Sequence, residues 1–173
     1  MKKLIIALLS IFLMQNITFA KEIIEFDFPN AGWHQVQSPD GVLTKKCFVP
    51  VNQTSDNFNE MLIFNKRVLK NTGITPMVIL HKQLGKDRLN YTDIEPTYIQ
   101  NDLDNAMVTW CSKSKNTCVV QRAFQGNEGI IIVTYKNQMP HYSQNMFGQW
   151  SNILSTIKSY NPNEDSGKNK IEL

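Results

Sequence analysis

The sequence predicts an α+β domain, an antiparallel sheet with helices packed on both faces (an α/β/α sandwich). Three observations lead there. The stretch 106–136 reads AMVTWCSKSKNTCVVQRAFQGNEGIIIVTYK, three β-rich runs divided by two polar breaks. Pairing Phe124 with Ile131 puts Val120, Phe124, Ile131, Val133 and Tyr135 on one face and Val119, Ala123, Ile130 and Ile132 on the other, so the sheet needs a cover on each side. Two segments at helical spacing supply covers. One starts at Thr75-Pro76, and the other carries Met146, Trp150, Ile153, Leu154 and Ile157.

The first twenty residues stand apart from this domain. Met1-Lys2-Lys3 is a basic start, Leu4–Met14 is apolar apart from Ser10, and Thr18-Phe19-Ala20 offers small residues at the −3 and −1 positions of a cleavage site. That is the layout of a secretory signal peptide, with cleavage expected after Ala20. Residues 21–162 then form a single globular domain, and the polar stretch 163–173, without periodicity, is expected to be a disordered tail. Lys2 and Lys3 are two of 18 basic residues set against 15 acids, so the processed chain carries a formal charge of only +1. Interspersed charges of both signs give no basic stripe for nucleic acid. The abundance of Asn, Lys and Ile, with a short Lys-Lys leader, points to the periplasm of a Gram-negative bacterium, with no membrane anchor left after cleavage.

In chain order, the alternation of Ile24, Phe26 and Phe28 marks a first short strand, ended by Pro29-Asn30-Ala31-Gly32. Trp33–Gln37 alternates again up to the turn Ser38-Pro39-Asp40-Gly41, and 45–51 is a third strand. In 60–70, EMLIFNKRVLK, strand is favoured over helix because Asn65 and the following turn interrupt the apolar run. Thr75 is a cap residue with proline at the first helical position, and Met77, Leu80 and Leu84 define a helix from Pro76 to about Asn90. The stretch 94–103 reads as a strand, and Pro96 inside it suits an edge or a strand start. Asp102–Asn105 is a turn, after which the meander and the closing helix follow, the latter stopped by Asn161-Pro162.

Cys47, Cys111 and Cys118 all follow the leader. If Trp110 pairs with Val119, Cys111 and Cys118 sit opposite each other across a polar tip, and an oxidising compartment favours their disulfide. Cys47 is left over.

No catalytic or cofactor motif stands out. His34, His81 and His141 lack a second ligand-type residue at zinc spacing. Asp102-Leu103-Asp104 lacks the third ligand, glycine and closing glutamate of an EF-hand. The serines lack a Gly-x-Ser-x-Gly elbow, and Cys47 has no flanking motif for a nucleophile. Gly126-Asn127-Glu128-Gly129 leads into a strand, so it is a hairpin tip rather than a phosphate cradle. Neither a cofactor nor a metal is expected.

The order of elements, with Gly32-Trp33 leading to the turn at Gly41 and a closing helix at Trp150–Ile157, resembles the PsbP/Mog1-like sandwich. That resemblance implies binding and assembly rather than catalysis. The leader, the Asn/Lys/Ile-rich composition, the segments CFVPV and NEMLIFNKRVL and the Trp110-Cys111 to Cys118 hairpin also resemble EirA-like periplasmic accessory proteins of the Dot/Icm type IV secretion system. The expectation is therefore an exported, non-enzymatic protein that binds another envelope protein through a sheet edge or groove. The alternatives are a binder of a small apolar ligand or lipid between helix and sheet, and a hydrolase assembled in space around His34 or His141.

Overall fold

The computed structural model describes residues 22–28, 32–42, 45–67, 73–138, 144–161, 163 and 168–173. The signal peptide expected over Met1–Ala20 and the candidate His141 lie outside the described residues. Among the described residues, ten strands and two helices follow in the order β1 (Ile23–Glu25), β2 (Trp33–Val36), β3 (Lys45–Pro50), β4 (Glu60–Arg67), α1 (Pro76–Asn90), β5 (Thr97–Asn101), β6 (Asn105–Ser112), β7 (Thr117–Gln125), β8 (Ile130–Asn137), α2 (Gln144–Ser155), β9 (Lys158–Ser159) and β10 (Lys170–Glu172). They build a seven-stranded antiparallel sheet of order β2-β3-β4-β8-β7-β6-β5 and a three-stranded antiparallel sheet of order β10-β1-β9.

The expected α/β/α sandwich with helices packed on both faces is corrected by this second sheet. The fold is sandwich-like and dominated by strands. One face of the large sheet is closed by β10-β1-β9 together with α2, which packs on β7. The expected disordered tail is corrected in part as well, because Lys170–Glu172 pairs with Ile23–Glu25 and buries Ile171. Both errors have one physical source. β9 and β10 are two and three residues long, too short for a period of two to show, and the alternation that marks β1 as a strand does not say what it pairs with.

The central meander follows its hydrophobic pattern. Phe124 faces Ile131 and Trp110 faces Val119, the registers expected from the sequence. Val120, Phe124, Ile131, Val133 and Tyr135 join Phe64, Phe26, Ile24 and Trp150 in the core between the sheets. Ala106, Val108, Ala123, Ile130 and Ile132 pack on the other face against Leu80 of α1. Leu84, one turn further along α1, meets Trp110 and Val119. The helix starts where its cap predicts, with the Val78 amide donating to Thr75 Oγ1 at 3.4 Å and Pro76 at the first position. β5 is an edge strand, as Pro96 suggests.

Two polar contacts tie the layers together. Arg122, buried among the apolar residues, donates from Nη1 to the carbonyls of Leu154 (2.5 Å) and Ile157 (2.7 Å) and from Nε to Asn105 Oδ1 (2.9 Å). It thereby caps the C-terminal end of α2, where carbonyls are left without helical partners. Glu22 accepts from the amides of Asn127 (3.2 Å) and Glu128 (2.6 Å), clamping the start of β1 onto the β7–β8 turn. Gly126 fits closely there, since an added Cβ would come within 2.7 Å of Ile131 Cδ1 and 3.1 Å of the Glu22 carboxyl and would push those side-chain ends aside.

Candidate ligand-binding groove

Alternation along the strands brings Lys45, Ile63, Asn65, Arg67, Val119, Gln121, Ile132, Thr134 and Lys136 to the same face as α1. The helix rests on β6, β7 and β8, and the strip over β4 and β3 lies beside it as a groove of about 390 Å³. Gln83, Lys86, Asp87 and Asn90 of α1 form one wall, together with Tyr91 and Trp110. A smaller cavity of about 260 Å³ shares Lys45, Ile63 and Lys136 with it and extends toward Ser38, Asp40 and Phe58.

Three buried polar atoms in the lining residues have no hydrogen-bond partner: Trp110 Nε1, Gln121 Oε1 and Asn65 Oδ1. Their side chains are 3%, 3% and 6% exposed. An unmade bond at such an atom costs about 1–3 kcal/mol. The orientation of the Gln121 amide follows from its partner, because Nε2 donates to Asp87 Oδ2 at 2.8 Å and leaves Oε1 as the free acceptor. Asp87 also accepts from Gln83 Nε2 at 3.0 Å. Burial pushes the Asp87 carboxyl above its usual range, against the hydrogen bonds from Gln121 and Gln83 and the charge of Lys136.

Cations dominate the rim. Lys136 lies between the rings of Phe58 (5.5 Å) and Tyr91 (5.9 Å). Lys45 is bonded to Asp40. That leaves Arg67, Lys86 and Lys136 facing the single carboxyl of Asp87. The arrangement can attract an anion at the rim and offer both a donor and acceptors beneath it.

A larger cavity, about 650 Å³, opens between the two sheets and is lined by Phe28, Trp33, Phe48 and Lys46 among others. None of its described lining residues contributes a buried unpartnered polar atom. Chemistry rather than size therefore selects the groove beside α1.

The structure disperses the residues that the sequence raises as candidates. Cys111 and Cys118 are joined by a disulfide across the β6–β7 hairpin. The hairpin is held further by Asp93, which accepts from Ser112 Oγ (2.6 Å) and the Ser114 amide (2.9 Å). Cys47 is fully buried, and burial pushes its thiol up, against the pull of Ser38 and Lys45, so it stays protonated at neutral pH. His34 is exposed on β2, and exposed His81 lies against Tyr98 at 5.2 Å. Neither bonds a serine, cysteine or carboxylate among the described residues. Asp102 accepts from Gln100 in its turn at 3.0 Å. In the Gly126–Gly129 tip the Asn127 and Glu128 amides are taken by Glu22 and the Gly126 amide by the Gly129 carbonyl. Among the described residues, no group of three His, Cys, Asp or Glu could hold a metal ion, and no helix is long and apolar enough to cross a membrane.

The groove residues Asn65, Asp87 and Gln121 escape sequence reasoning. One signal points toward them: Gln121 and Arg122 stand as two adjacent polar residues inside the apolar run CVVQRAF. No family model and no curated protein matches this chain.

Proposed function

We propose that this is an exported, non-enzymatic binding protein of the periplasm that recognises another envelope component through the groove beside α1. One observation carries the reading: three buried polar atoms without partners gather under a cationic rim, an arrangement that costs stability until something binds there. The Cys111–Cys118 disulfide fits an oxidising compartment, and the leader pattern fits export. A role as an accessory factor of a type IV secretion system rests on the family resemblance alone and is part of the proposal in that form. The polar lining argues against the lipid alternative, because an apolar ligand would leave the orphaned atoms unsatisfied.

Photo-crosslinking in native cells tests this reading. A crosslinkable residue at Lys86, on the groove wall, should capture an envelope component in several-fold higher yield than one at Leu89, which is 82% exposed on the same helix and does not line the groove. Equal yields at the two positions would overturn it.

A further inference from the structure

We propose that the groove takes a small hydroxy-carboxylate, an anion that brings its own hydroxyl donors. This rests on the groove being the recognition site and adds the class of ligand. Arg67, Lys86 and Lys136 call for an anionic group, because within the groove the three cations face the single carboxyl of Asp87, which already feels the charge of Lys136. Lys45 adds little, being engaged by Asp40.

The orphaned atoms under the rim define the rest of the ligand. Gln121 Oε1 and Asn65 Oδ1 can only accept, and Trp110 Nε1 can only donate. A hydroxyl serves both kinds of partner. A plain carboxylate offers acceptors alone and would leave the two amide oxygens unmet, whereas a neutral polyol would leave the cations unmet. Asp87 is compatible with a nearby anion, since the amides of Gln83 and Gln121 already occupy its oxygens and burial raises its affinity for a proton. A space of about 390 Å³ suits a molecule of sugar-acid size. The three atoms are shut off from water in the unliganded groove, so entry requires small rotations of the side chains above them.

The probe is glucuronate, with glucose and acetate as controls, titrated into the full chain and followed by calorimetry and by the indole N–H resonances. The Trp110 signal is identified by its loss in Trp110→Phe. Glucuronate should bind at least tenfold more tightly than either control, shift the Trp110 resonance, and lose at least tenfold in affinity in Lys86→Glu, whose exposed position leaves the fold intact by circular dichroism. Glucose or acetate matching glucuronate, no binding of glucuronate, or an unmoved Trp110 resonance would each overturn the ligand class. Those results would leave the crosslinking contrast between Lys86 and Leu89 standing, so the failure of this inference and that of the groove reading are distinguishable.

Discussion

Gln121 and Arg122 are neighbours on β7 and point to opposite faces of the same sheet, and the two faces treat them differently. Arg122, 7% exposed, meets two helix carbonyls and the Asn105 side chain. Burial lowers its pKa to about 10, which still leaves it charged at neutral pH. Around it the face is filled with large rings: Tyr135 stacks on Trp150 at 3.7 Å, and Phe26, Phe48 and Phe64 meet edge to face or through one another. Gln121 is as deeply buried and only half satisfied, and two further orphaned atoms accompany it. Among the described residues, the other unpartnered buried atoms belong to Glu25, Ser151 and Ser159, away from this groove, and Glu25 lies 3.9 Å from Lys158. The ring-filled face is thus built mainly for cohesion, although the second sheet and α2 that cover it hold unpartnered atoms of their own at Glu25, Ser151 and Ser159. The other carries an energetic cost where a ligand can relieve it, the usual trade between stability and function.

The difference can be broken most forcefully on the ring-filled face. Trp150→Ala removes a side chain 6% exposed and its stacking on Tyr135, and should lower the unfolding free energy by about 3–5 kcal/mol in urea titrations. Arg122→Ala should cost about 2–4 kcal/mol, since it opens a cavity and removes the side-chain donor from the Ile157 carbonyl and from the Leu154 carbonyl, which keeps only the Ile157 amide at 3.3 Å. Amide exchange should show the last turn of α2 opening first. On the groove face the sign reverses. Asn65→Leu removes an orphaned acceptor and should raise the unfolding free energy by about 1 kcal/mol, while weakening glucuronate binding.

The smallest effect is the pH dependence carried by Asp87. Its folded pKa lies above the value of 3.8 for a free side chain, so the native state holds the proton more tightly than the unfolded chain does. Its contribution to stability is therefore full below 3.8 and is lost as pH rises through the folded pKa. Asp87→Asn should abolish that slope, and the difference between wild-type and variant melting temperatures should grow across this window and level off above it. A difference that stays constant with pH would mean that Asp87 is not perturbed by the groove.

Local pattern alone was enough for the elements whose residues are long runs with one dominant signal. Alternation over eight or nine residues placed β6, β7 and β8 in register, Thr75-Pro76 placed the start of α1, and the hairpin pairing predicted the Cys111–Cys118 disulfide before any coordinates. β1 was legible as a short strand, but the second sheet was not, because β9 and β10 are held by pairing with β1 across distant parts of the chain rather than by their own composition. The groove was not legible for a related reason. Whether Gln121, Asn65 and the Trp110 nitrogen find partners depends on which residues of β4, β6, β7 and α1 meet in space, and hydrogen-bond satisfaction is a property of that meeting. The sequence by itself determined the sheet's central strands and their two apolar faces. Only the tertiary structure decided that one face closes on a second sheet and that the other leaves a polar groove beside its helix.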